Sequence, residues 1–195
     1  MLDLTPATAM VTRVVAAVDD DQLGAPTPCR DTTVADLLDH LDGLCGAFTG
    51  AAVKDLEAGS QGAAADGSRL GPDWRERIGG RLARLAGAWQ DEAAWAGMTR
   101  AGGVDLPGQV AASVAINEVV VHGWDLAAAT GHDYACPDDL VLAAYAFAQS
   151  AVEQNPEGSD GLFGAPVAVP ESAPLLDRLI GLTGRDPGWK PASGG

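Results

Sequence analysis

The sequence predicts an all-α protein, a four-helix bundle with additional C-terminal helices, built by residues 1–195 as a single domain. Three observations carry that prediction. Hydrophobic residues make up 47% of the chain and aromatic residues only 5%, with Ala and Leu carrying most of the apolar content, and Ala and Leu favour packed helices over strands. Apolar side chains recur at steps of three and four through several long segments. No strand-rich region is present to support a sheet.

Residues 5–20 read TPATAMVTRVVAAVDD. Pro6 suits a first helical turn, and Val11, Val14, Val15 and Val18 form one stripe. GAPTPCRDT is a Pro-rich loop. A second helix over 32–56 sets Leu37, Leu38, Leu41, Leu44 and Phe48 on one face, with Asp31, Thr32 or Thr33 available as its cap. The connection at 59–72 is long enough to cross the bundle and let neighbouring helices run parallel. A third helix over 73–96 carries Trp74, Ile78, Leu82, Leu85, Trp89 and Trp95, and AGGVDLPG breaks the chain after it. A fourth runs over 107–129 and stops at Gly131. A fifth, over 137–154, opens with Pro137, Asp138 and Asp139, residues suited to a helix N-terminus. The tail holds an extended piece at 166–170, a short helix at 172–182 and an end that reads as frayed over 190–195.

The formal net charge is −15. Such a polyanion repels phosphate backbones and anionic lipid, so nucleic acid and membrane surfaces are not expected partners. The N-terminus has neither a basic region nor a long apolar run, so no signal peptide is expected. Nothing approaches the ~20 apolar residues of a membrane span. Cys29, Cys45 and Cys136 are odd in number and far apart, which fits neither a disulfide framework nor a C-x-x-C motif. The expected location is cytoplasmic, with reduced thiols.

One stretch of the fourth helix departs from the pattern. INEVVVHGWDLA, residues 116–127, sets Glu118, His122 and Asp125 into an otherwise apolar run. Each helical residue advances by about 100°, so these three fall within a sector of about 60°. Burying an unpaired carboxylate or imidazolium costs several kcal/mol, and a divalent cation would offset that cost. Glu-x-x-x-His presents a carboxylate and an imidazole one turn apart, suited to two ligands of one metal. Asp125 is placed to orient the imidazole of His122 from behind. A Glu–His pair satisfied without metal is the competing reading. A third ligand favours the metal. His40, at the edge of the Leu37–Leu41–Leu44 stripe, can reach the bundle interior, with Asp36 one turn earlier as its candidate partner. His132 reads as a loop residue outside the site. Two imidazoles and one carboxylate leave a position for water or substrate, the pattern of a catalytic zinc site. Trp124 is a candidate pocket residue, Cys45 reads as core, and Arg185 is expected to pair with an acidic group and close the tail on the bundle.

TPCRDTTVADLLDHLDG and NEVVVHGWDLAAATG resemble the two ligand-bearing segments of the DinB/YfiT-like metal-binding superfamily. FGAPVAVPESAPLLDRLIGLTGRDPGW resembles the C-terminal signature of its actinobacterial branch, which is similar to the N-terminal domain of mycothiol-dependent maleylpyruvate isomerase. The resemblance covers nearly the whole chain. It implies a metal-binding bundle with His40, Glu118 and His122 as ligands, zinc as the ion and nickel as the other candidate. It further implies a small-molecule partner, a low-molecular-weight thiol such as mycothiol or bacillithiol, activated for transfer to, or isomerisation of, a small electrophile. A metal-binding or sensor protein without turnover is the alternative. A homodimer through bundle helices is compatible with the family. Two departures accompany the resemblance. Thr32 stands where relatives usually place Trp, which bears on pocket shape. The isomerase is also expected to carry an additional C-terminal domain that this chain does not supply.

Overall fold

The computed structural model describes residues 1–60, 65–158 and 162–191. Among them, seven α-helices and one hairpin follow in the order α1 (Thr5–Ala17), α2 (Val34–Ala52), α3 (Trp74–Ala88), α4 (Glu92–Trp95), β1 (Met98–Ala101), β2 (Val104–Pro107), α5 (Gly108–Thr130), α6 (Asp138–Gln154) and α7 (Leu175–Leu182). Residues 61–64 of the long connection and 192–195 of the end expected to fray lie outside the described residues.

The bundle is a closed ring in which α1 packs on α3, α3 on α2, α2 on α5, and α5 back on α1. Helix α6 covers the outside of α5, and α7 packs on α6. Direction follows from side-chain pairs. Gln90 bonds Thr5 while Arg75 bonds the carbonyl of Val18, so α1 and α3 run antiparallel. Arg77 pairs with Asp42 and Lys54 with the carbonyl of Ala94, so α2 and α3 run parallel. The parallel run needs a return path. Residues 66–69 provide it by folding back on the start of α2, where Asp36 accepts from the N–H of Gly67 and Asp39 holds Arg69. The expected parallel neighbours are therefore present, joined through a connection that returns to the start of α2.

Helix α5 is apolar nearly all round because it is covered nearly all round. Ala111, Ala112 and Ala115 keep its first half thin against its neighbours, while Val119, Val120 and Leu126 fill the core further on. Gly123 is required at its position. A Cβ there would lie 2.6 Å from Val11 Cγ2 of α1 and 2.8 Å from the hydroxyl of Tyr134. The helix ends at Gly131, in the left-handed conformation at φ 74°. The N–H groups of Gly131 and His132 both turn back to the carbonyl of Ala127, which closes the last turn.

Three expectations need correction. The segment 73–96 is not one helix: α3 ends at Ala88, and Asp91 starts the separate turn α4 by accepting from the N–H of Ala93. An Asp side chain that captures a local N–H competes with continued helix. The break at AGGVDLPG is an antiparallel hairpin. Gly102 and Gly103, at φ 56° and 80°, take the two left-handed positions of a tight turn between β1 and β2. The last helix begins later than expected, at Leu175, because Pro174 occupies its cap. The extended piece before it docks on α7 through the N–H of Val167 and the carbonyl of Gly181.

Candidate metal centre

Helix α5 turns Glu118 and His122 toward α2, where they meet His40. Glu118 Oε2 lies 3.1 Å from His122 Nε2 and 3.4 Å from His40 Nε2. The imidazole centroids are 4.8 Å apart and the rings stand nearly perpendicular. One donor atom from each of the three residues lies within 4.8 Å of the other two. Two bonds of about 2.0–2.2 Å from a single ion span the 3.1 and 3.4 Å separations between Glu118 and the two imidazoles. Two imidazole nitrogens and a carboxylate oxygen are a donor set that zinc or nickel accepts, so the residues fit a divalent metal.

The electrostatics show what the ion would replace. Burial resists charge on Glu118, but the imidazoles of His122 and His40 outweigh it and hold the carboxyl far below its usual range. Burial likewise resists charge on His122, yet Asp125 on one nitrogen and Glu118 on the other push its pKa up to about 10. Without a cation, the charge of Glu118 is met by the raised imidazole of His122 beside it. A divalent ion supplies that positive charge at the same place.

Asp125 stands behind His122. It is fully buried, and its Oδ2 lies 2.9 Å from His122 Nδ1. An N–H at Nδ1 donating to that carboxylate leaves Nε2 free as the ligand nitrogen. Despite burial, the guanidinium of Arg185 and the ring of His122 hold the Asp125 carboxyl below its usual range. Arg185 grips it with a fork: Nε to Oδ1 at 2.8 Å and Nη2 to Oδ2 at 2.9 Å. The acidic partner expected for Arg185 is thus Asp125, and the tail closes onto the bundle through it.

The structure places Asp36 elsewhere. Its Oδ2 accepts from the N–H and hydroxyl of Thr33, forming a capping box at the start of α2. Its Oδ1 accepts from the N–H of Gly67, and Thr33 leads the hydrogen bonds that lower its pKa. Both oxygens are engaged away from His40, which corrects the expected partnership. Trp124 is buried in the core and does not line the cavity beside the site. Cys45 is core as expected, its thiol pushed up to about 12 by burial. His132 sits past the helix end against the hydroxyl of Thr130.

Glu118, His122 and His40 face a cavity of about 1040 Å³. Leu44, Phe48 and Val114 form apolar wall, and Ala101, Gly102 and Val104 bring the hairpin to its edge. Cys29, Arg30 and Thr32 line it from the loop before α2, so the small residue at Thr32 does bear on pocket shape. Sequence reasoning missed the hairpin, although Gly-Gly between Met-Thr-Arg-Ala and Val-Asp-Leu is a two-residue turn signal. It also gave no cavity role to Arg30 or to the crossing of Gly164 with Gly184, for which no local pattern exists.

The ring of α1, α3, α2 and α5, with a His/Glu/His group between α2 and α5, defines a DinB-like helical bundle. Within that class, the chain belongs to the mycothiol maleylpyruvate isomerase N-terminal domain family, whose model matches residues 4–127. Uncharacterized proteins from two strains of Mycobacterium tuberculosis are each 30% identical over 175 residues, covering 88% of this chain and 90% of the relative. The crystal structure of mycothiol-dependent maleylpyruvate isomerase aligns with a TM-score of 0.67 at 22% identity, covering 95% of this chain and 89% of that one. A histidine-to-alanine mutant of that isomerase aligns with a TM-score of 0.66 at 21% identity. With 89% of the solved isomerase chain covered, the fold comparison does not support the expectation of a whole additional domain without counterpart here. Among the described residues, no helix is long and apolar enough to cross a membrane.

Proposed function

We propose that this protein is a metal-dependent enzyme that activates a low-molecular-weight thiol, with mycothiol as the first candidate, for transfer to or isomerisation of a small electrophile. The observation that carries this reading is a three-ligand group left open toward a cavity. His40, Glu118 and His122 converge at the edge of about 1040 Å³ of space. The two further carboxylates one helical turn from the histidines are held elsewhere, Asp125 by Arg185 and Asp36 by Thr33 and Gly67. A metal-binding or sensor protein without turnover would be favoured by a fourth protein ligand, and neither carboxylate is available as one.

Zinc is the proposed ion, with nickel second. When bound, it would lower the pKa of a coordinated thiol so that the thiolate forms near neutral pH. The chain's own residues prepare the position. Asp125 fixes the His122 ring with Nε2 outward. Glu118 supplies negative charge between the two rings. Leu44, Phe48 and Val114 exclude water from one wall, which strengthens every charge interaction inside. The family supports mycothiol as the thiol.

The test combines elemental analysis of protein purified without a metal-affinity tag with an assay of electrophile consumption in the presence of mycothiol. Stoichiometric divalent metal and thiol-dependent turnover support the enzyme reading. Metal without turnover supports the binding or sensing role instead. Absence of metal removes both.

A further inference from the structure

We infer that Arg185 is a positioning residue for His122, so that the C-terminal segment sets how tightly the site holds its ion. This rests on the metal reading proposed above. The contacts form an unbroken relay: Nδ1 of His122 to Oδ2 of Asp125 at 2.9 Å, Oδ1 of Asp125 to Nε of Arg185 at 2.8 Å, and Nη1 of Arg185 to the carbonyl of Thr183 at 2.9 Å. Asp125 is fully buried and Arg185 is 7% exposed, so water does not compete for these bonds.

The helix by itself places Asp125 one turn from His122 but leaves the plane of its carboxylate free to turn. A two-pronged guanidinium fixes that plane, because its parallel N–H groups match both carboxylate oxygens at once. The oxygen facing His122 then holds one position, and the ring follows it. The fork is itself held. The N–H of Arg185 returns to the carbonyl of Ile180 at the end of α7, which packs on α6 and through it on α5. Gly184, at φ 81°, passes so close to Gly164 that a Cβ would lie 2.8 Å from its backbone. Arg185 is thus presented by a crossing of two segments with no room to shift. The family match ends at residue 127, so the ligands lie inside the matched part and this anchor lies outside it.

A simple clasp would use the same ion pair, and the two roles separate on metal affinity. A clasp stabilises the metal-free fold and leaves ion binding unchanged. A positioning residue alters affinity and ligand geometry. The experiment titrates the full chain with Co²⁺, reading the visible absorption and the Kd by chelator competition, for wild type, Arg185→Ala and Arg185→Lys. Arg185→Ala is expected to weaken binding roughly 10- to 100-fold, the loss typical of removing support behind a ligand, and to change the absorption band. Arg185→Lys keeps the charge without the fork and should fall between the two. It decides the matter alone if the alanine variant does not fold. Wild-type Kd and spectrum in either folded variant, even with a lowered Tm, overturn the inference and leave the metal reading standing. A wild-type chain that binds no Co²⁺ overturns the metal reading and this inference with it.

Discussion

The two arms of the site are built from the same local pattern and end up differently. On α5, His122 has a carboxylate three residues later, Asp125, which bonds its ring. On α2, His40 has a carboxylate four residues earlier, Asp36, which serves the helix cap. The difference lies in what else competes for the carboxylate. Asp36 stands in the first turn, where backbone N–H groups lack helical partners and draw any nearby oxygen. Asp125 stands deep inside α5, where every N–H is already bonded along the helix, so its partners are side chains. The consequence shows in exposure: the side chain of His122 is 12% exposed and fixed on both nitrogens, that of His40 is 35% exposed. One arm is prearranged, and the other completes the site from its open side.

The comparison can be broken at each arm. His122→Ala should have the largest effect, eliminating bound metal as read by elemental analysis. His40→Ala should weaken metal binding less, because the α5 arm stays ordered without it, and a half-buried side chain should cost the metal-free fold about 1 kcal/mol or less. Asp125→Asn keeps all three ligands, yet it should reduce metal affinity roughly 10- to 100-fold in a chelator competition. It should also lower stability by about 3–5 kcal/mol in denaturant unfolding, since Arg185 is left buried and unpaired. Asp36→Asn should have the smallest effect: about 0.5–2 kcal/mol of stability from the weakened cap and an unchanged metal Kd. Equal loss of affinity in Asp36→Asn and Asp125→Asn would erase the distinction between the arms.

The pH response adds a check on the fixed arm. His122 rises from 6.5 to about 10 in the folded, metal-free protein. A raised pKa stabilises the fold fully below the unfolded value and is lost as pH climbs through the folded one. The Tm of chelator-treated protein should therefore carry a contribution that falls between about pH 6.5 and 10. Metal affinity should rise over the same window, because the ligand nitrogen must shed its proton to bind. A Tm of the metal-free protein that climbs across that window would show that His122 is not held between two carboxylates.

What could be read in advance follows the same division. The apolar stripes give the bundle, and the spacing of Glu118, His122 and Asp125 gives their shared face, because helix geometry alone fixes both. Trp124 shows the limit of reading by adjacency: two residues beyond His122 is about 200° around the helix, so it points into the core. Asp36 failed because a cap outbids a neighbouring ring for its oxygens. Arg185 signalled that it needed an acid, but its partner stands 60 residues earlier and only the packed tail brings them together. The hairpin was easy to miss beyond its Gly-Gly turn because its strands are four residues each and, among the described residues, pair only with each other.

The central claim is that His40, Glu118 and His122 hold one divalent ion. Metal content of untagged protein, measured beside His122→Ala prepared identically, tests it most directly. About one equivalent of zinc or nickel in the natural chain and none in the variant is the result this account predicts. No stoichiometric divalent metal in the natural chain, or full retention in the variant, would contradict it.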